Sequence, residues 1–271
     1  RVVMGIGTGN TTRRTMGMPA AKVAELEDHI SVCKGLFNGE IVDYSEGDRH
    51  RKIKFLNPDL NYYNIKDEIP IYIAASGPKV ARMAGRIADG VILFGAVHPT
   101  LVKWMVDNVR QGAEEAGKNP DDVYVLSMTA FYLTSTSNDI ETREVREAVG
   151  PMVASSSNIF ALSCHQNPDL LPEELREELV GFTGVYKEPN EPVETRHLKL
   201  YSGYLQHLRD EHEALMTKKI IQATTLTGTK SEVLEMIKQM REAGVDQVAI
   251  QPIRPTREVV DQVAAEIMPH F

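Results

Sequence analysis

At 271 residues, with 42% hydrophobic and 25% charged residues, the chain has an ordinary globular composition and the length of one large α/β domain. A net charge of −8 argues against nucleic acid as a main partner, because neutralising phosphates needs a basic face. Two cysteines exclude a disulfide framework or cysteine metal cluster and point to a reducing cytoplasm, and no apolar run reaches the roughly 18 residues of a membrane span.

The opening "RVVMGI" (1–6) reads as a buried strand, and "RVVMGIGTGN" lacks the basic head and apolar middle of a secretory signal. After a Gly-rich loop, Pro19 suits the first turn of a helix. That helix carries Val23, Leu26, Ile30, Cys33 and Phe37 at spacings of three and four, one apolar stripe. Cys33 lies on the stripe and is read as core, not as a reactive thiol. Residues 41–68, with "SEGDRHRKIKF", alternate weakly and read as an exposed excursion or hairpin.

"PIYIAA" (70–75) is a second apolar strand, followed by a helix over 78–88. "GVILF" (90–94) is a third, and 100–117 a helix that Gly117 ends. "VYVLSMTAFYL" (123–133) is a fourth strand. Residues 138–215 are polar and helix-like, which predicts a helical insertion, a lid, within a single domain spanning 1–271. "TGTKSE" holds a capping box, Thr229 with Glu232, opening a helix through Ala243. "VDQVAIQP" supplies a fifth strand (245–250), and 256–268 a last helix with Val259, Val260, Val263 and Ile267 turned inward.

Apolar strands each followed by a helix imply a parallel sheet covered on its faces, closed as a barrel or open and doubly wound. Ligands of such sheets gather at the carboxyl ends of the strands. There the sequence places "GTGNTTRR", "SGPK", "GAVHP" and "QP". Ala75-Ser76-Gly77-Pro78 is bare, carries one hydroxyl and opens a helix, and Gly95-Ala96 ends the next strand. Two adjacent bare turns suit either a phosphate seat or tight packing, and the residues alone leave both open. "GTGN" departs from the dinucleotide fingerprint, since Gly7 has no glycine at the required position. Arg13 and Arg14 read as a solvated pair or as partners of an acidic group. His98, His197, His207 and His212 lack zinc-site spacing, and no serine sits in a nucleophile elbow.

Taken together, "RVVMGIGTGNTTRRTMGMP", "IPIYIAASGPKVARMAGRIADGVILFGAVHP", "VRQGAEEAGKNPDDVYVLSMTAFYL" and "LTGTKSEVLEMIKQMREAGVDQVAIQPI" resemble the bacterial-luciferase-like superfamily. Within it they are most similar to the methylenetetrahydromethanopterin reductase branch, which uses the deazaflavin coenzyme F420. The resemblance implies a (β/α)8 TIM barrel with 1–6 as its fourth strand and the first three strands missing ahead of Arg1. It places a phosphate-binding loop on Ser76, Gly77 and Pro78 beside Gly95 and Ala96, and a cofactor-bordering loop on Gly7, Thr8, Gly9 and Asn10. Thr8 and Asn10 stand where the reductase often has Pro and Asp, which points away from the same pterin substrate.

The resemblance implies an oxidoreductase moving hydride between coenzyme F420 and a small organic substrate. The alternatives are a reduced-FMN monooxygenase and a non-catalytic flavin-binding relative. No catalytic residue is assigned, and no metal is expected. The implied partners are a small-molecule substrate and a second copy of the chain. Tyr186, Tyr201 and Tyr204 face substrate or pack on the barrel rim.

Overall fold

The computed structural model describes residues 2–186, 190–253 and 257–271. Arg1, at the head of the predicted strand 1–6, and Thr256, at the head of the predicted last helix, lie outside the described residues. Strand β1 (Met4–Ile6) leads into the short helix α1 (Asn10–Thr15) and then α2 (Val23–Phe37). The excursion is an antiparallel hairpin, β2 (Val42–Glu46) and β3 (Arg49–Ile53), turning at Gly47 with φ 57°. Then come β4 (Ile71–Ala75), α3 (Pro78–Ile87), β5 (Gly90–Phe94), α4 (Pro99–Glu115), β6 (Tyr124–Thr129) and β7 (Phe131–Leu133). Helices α5 (Arg143–Ser163), α6 (Arg176–Gly181), α7 (His197–Leu200), α8 (Asp210–Glu213) and α9 (Lys218–Thr224) follow. The chain closes with β8 (Leu226–Gly228), α10 (Lys230–Glu242), β9 (Gln247–Ile250) and α11 (Arg257–Gln262).

The predicted strands form one parallel sheet in the order β1-β4-β5-β6-β9. Register runs through Ile6↔Ile73, Ile73↔Val91, Leu93↔Ser127 and Ser127↔Val248. Two aspartates just ahead of strands lock neighbours in place. The carboxylate of Asp89 accepts the Ile71 N–H at 2.8 Å, and that of Asp246 accepts the Val125 N–H at 2.7 Å.

Burial alternates along the strands. Ile71, Ile73, Ala75, Val91 and Leu93 are wholly buried, and α3 packs against both β4 and β5. The opposite face carries half-buried Tyr72, Ile92, Phe94, Leu126 and Met128. So the expectation of a sheet covered on both faces is corrected: full burial belongs to one face. On the open face the Tyr72 and Tyr124 rings lie 5.7 Å apart, and a Cβ on Gly90 would strike the Tyr72 ring at 2.7 Å.

The predicted strand 123–133 is broken at Ala130. Thr129 pairs with Ile250, after which the Ala130 carbonyl accepts from Leu226 N–H and β7 pairs with β8. Strand β8 was not predicted, because three residues show no period. Helices α3 and α4 touch backbone to backbone. A Cβ on Gly85 would fall 1.9 Å from the Val109 carbonyl oxygen, and one on Gly112 only 1.8 Å from that of Arg82.

The α2 stripe is core, with Leu26 and Ile30 buried and Val23, Cys33 and Phe37 packed beside them. Packing on the core accounts for this stripe. The Thr229–Glu232 capping box opens α10 as predicted, and Gly117 at φ 69° follows α4. In the last helix Val259, Val263 and Ile267 pack inward, four residues apart, but Val260 lies off that line and is 60% exposed, a correction. Among the described residues no helix is long and apolar enough to cross a membrane.

Candidate functional site

At the carboxyl ends of β1 and β4 lies a cavity of about 280 Å³. One wall is the loop after β1. There Gly9, at φ 67°, starts α1, and Gly7 lets the two strand ends approach, since its Cβ would meet that of Ala74 at 3.2 Å. Thr8 and Asn10 reach the cavity from this loop. The floor is Ser76-Gly77-Pro78, where the proline occupies the first turn of α3. Among the described residues no side chain caps α3, so the N–H groups of Lys79 and Val80, after Pro78 which has none, and the positive end of its dipole are open at the cavity.

Helix α5 closes the top through Ile159, Leu162 and Ser163. Among the described residues Lys79 and Arg14 are the charged residues of the lining, and no carboxylate joins them. An electropositive, acid-free pocket over an uncapped helix start can hold an oxyanion.

Of the predicted residues, the structure brings Thr8, Asn10, Ser76, Gly77 and Pro78 to this cavity. Gly7 and Gly9 shape its wall without lining it. Ala75, Gly95 and Ala96 lie elsewhere. Ala75 alternates to the helix-covered face and is wholly buried. Ala96 is buried too, its carbonyl accepting from the Ser127 hydroxyl at 2.7 Å. Gly95, at φ 65°, has α5 directly over it, so that a Cβ would fall 2.3 Å from Ser156 Cβ. Ser163 stands over Gly77 in the same way, at 2.7 Å. Ser156 and Ser163 are seven residues apart on one face of α5, and sequence reasoning missed both. The bare turns are where this helix crosses the strand ends.

The arginine pair divides. Arg13 Nε donates to the Pro19 carbonyl at 2.7 Å and its side chain lies against Gly9, a loop-fixing role. Arg14 Nε is buried with no hydrogen-bond partner among the described residues. Burial pushes the Tyr201 phenol up, while the charge and hydrogen bond of Arg14 pull it back.

Tyr186, Tyr201 and Tyr204 pack on one another at centroid distances of 4.8 to 5.6 Å, with His212 at 5.4 Å and the Arg209 guanidinium 5.3 Å over Tyr186. None of the three lines the cavity. His98 caps α4 by accepting the Thr100 N–H at 3.3 Å and faces Glu174 at 3.5 Å. Burial raises both Cys33 and Cys164, which keeps the thiols protonated and inert.

The chain is similar to 5,10-methylenetetrahydromethanopterin reductase of Methanopyrus kandleri, at 27% identity over 100% of this chain and 74% of that protein. An F420-dependent glucose-6-phosphate dehydrogenase of Nakamurella multipartita is 35% identical over 46% of the chain and 38% of its own length. Among solved structures, the Methanopyrus kandleri coenzyme F420-dependent tetrahydromethanopterin reductase superposes with TM-score 0.60 at 21% identity, covering 100% of this chain and 74% of that one. An F420-dependent secondary alcohol dehydrogenase, solved with an F420–acetone adduct, gives 0.58 at 17%, covering 99% and 69%. These likenesses show the fold, an α/β arrangement of the TIM-barrel type with a parallel central sheet. The family described as luciferase-like monooxygenase matches residues 1–247, and the chain belongs to it.

Proposed function

We propose that this chain binds coenzyme F420 and moves hydride between it and a small organic substrate. The observation that carries the reading is the acid-free cavity at the strand ends, where an uncapped helix start, two cations and bare backbone converge. The F420-dependent relatives support the choice of cofactor. The residues fit a phosphate-bearing cofactor, since Arg14 Nε is an orphaned buried donor and the lining offers hydroxyls, an amide and N–H groups.

On this reading Ser76, Thr8 and the N–H groups of Gly77, Lys79 and Val80 hold the phosphate, and the side chains of Lys79 and Arg14 balance its charge. When bound, the deazaflavin supplies the hydride-carrying carbon. Helix α5, through Ile159 and Leu162, excludes water from this end of the site. In this proposal 138–215 is a lid inside a single domain spanning 1–271, and the chain pairs with a second copy. Ala75, Gly95 and Ala96 then support the site from behind without touching the cofactor.

The second reading, a reduced-FMN monooxygenase, is favoured by the family's own description. Equilibrium titration of the chain separates them. Quenching of F420 fluorescence at micromolar concentration, with FMN bound at least tenfold more weakly, supports hydride transfer. FMN bound tighter than F420 favours the oxygenase, and no binding of either refutes both. A monomeric mass in light scattering would count against the second copy.

A further inference from the structure

Arg14 lines two cavities. Besides the 280 Å³ site it borders a second, of about 340 Å³, formed with Gly17, Met18, Pro19, Arg196, His197 and neighbouring apolar residues. In a chain of net charge −8 with 38 acidic residues, neither lining includes a carboxylate among the described residues. Three other surface cavities do, through Asp246, through Glu144, Glu147 and Glu258, and through Glu25, Asp28 and Asp43. The second cavity carries Arg14, Arg196 and His197 instead. Between the two cavities, Arg14 Nε is buried and donates to nothing among the described residues. A buried guanidinium N–H without an acceptor is costly, and an oxyanion is the acceptor its planar fork fits best.

We propose that the second cavity is an oxyanion subsite that continues the binding site, with Arg14 as the shared ligand. It takes a phosphate or carboxylate carried beyond the phosphate held in the first cavity. The inference rests on the proposed function only in placing a phosphate in that first cavity. Gly17 makes the subsite possible. Its φ of +73° turns the chain there, and a Cβ would come within 3.1 Å of His197 Nδ1, so the loop lies flat against that ring.

The test is calorimetric titration of the chain with inorganic phosphate and with inorganic tripolyphosphate, which is long enough to reach past Arg14. Tripolyphosphate binds at least tenfold tighter than phosphate. Arg14→Gln weakens tripolyphosphate by about ten- to a hundredfold, the loss expected for one charge-assisted contact. The variant also lowers the salt dependence of its binding, which a purely structural arginine would not do.

Met18→Trp, which fills the second cavity, removes the preference for tripolyphosphate and spares phosphate. Equal wild-type affinities for the two anions, or an Arg14→Gln protein that is folded by circular dichroism and keeps its preference, would overturn the subsite. Failure to bind coenzyme F420 alongside an intact tripolyphosphate preference overturns the proposed function and leaves the subsite standing.

Discussion

Replacing Gly95 by alanine separates the two reasons for a bare turn. The added Cβ would sit 2.3 Å from Ser156 Cβ and 2.6 Å from its hydroxyl oxygen, on a backbone at φ +65°. Holding an L-residue in that left-handed region costs about 1–2 kcal/mol, because Cβ crowds the following carbonyl. Overpacking against α5 adds about 1–3 kcal/mol. Together the loss is about 2–5 kcal/mol, which at roughly 2 °C per kcal/mol for a chain of this length lowers Tm by about 4–10 °C. Ser156→Gly removes the clash and leaves the backbone strain. In the double variant it therefore restores about 1–3 kcal/mol relative to additive behaviour, a coupling that a double-mutant cycle measures directly. The assay is urea and thermal unfolding followed by circular dichroism on the four proteins. A Gly95→Ala protein as stable as wild type but with weakened phosphate binding would show that the gap serves an anion, and would refute the packing argument.

Gly85→Ala places a Cβ 1.9 Å from the Val109 carbonyl oxygen and 2.8 Å from Ala113 N, both backbone atoms, so α3 and α4 must part. A loss of at least about 3 kcal/mol is expected, and a melt lowered by less than about 2 °C would refute it. For Glu232, burial pushes the carboxyl up, but the Thr229 N–H, the Ser137 and Thr229 hydroxyls and Lys218 outweigh it and hold it below its ordinary 4.5. The folded state then binds fewer protons than the unfolded one, so this stabilisation is present above pH 4.5 and lost as pH falls through the lower folded value. Glu232→Gln should accordingly melt lower than wild type at neutral pH, with the gap closing on acidification, and a gap independent of pH would contradict the sign. His212 runs on another group's scale. Burial lowers its pKa from 6.5 against the pull of the Val185 carbonyl and Glu211. The unfolded chain takes up the proton first, so stability falls as pH drops below 6.5 and levels off beneath the folded value. A wild-type Tm as flat as that of His212→Gln across this range would sink the assignment.

What the sequence makes legible here is what neighbours along the chain decide. Strands such as Ile71–Ala75 and Gly90–Phe94 are short, mostly apolar runs rich in β-branched and aromatic residues between a breaker and a helix start, so they can be read without tertiary context. The Thr229–Glu232 capping box spans four residues and closes on itself. The break at Ala130 is illegible, because it depends on Leu226, ninety-six positions on, offering its N–H to one carbonyl. Arg13 and Arg14 are identical in type and adjacent, yet they lie about 100° apart around the short helix α1, so one meets the Pro19 carbonyl and the other two cavities. No pattern in "TTRR" distinguishes them.

The two glycines of the bare turns make the same point in opposite ways. Gly77 has φ −166°, an extended backbone open to any residue, so only the space around it demands glycine. That space is bounded by Ser163 on one side and the cavity on the other. Gly95 has a left-handed backbone and a helix over it, so it is demanded twice without a ligand. A reading from local sequence gives both positions one role, because both are glycine after a buried strand. The fold gives the cavity-facing position to the one whose backbone does not need it, and under the proposed function α5 and an anion would draw on a single gap there. A shift of α5 at Ser163 would therefore change the room at Gly77 and leave Gly95 sealed by Ser156, which makes the first turn, and not the second, the place where helix position and the cavity meet.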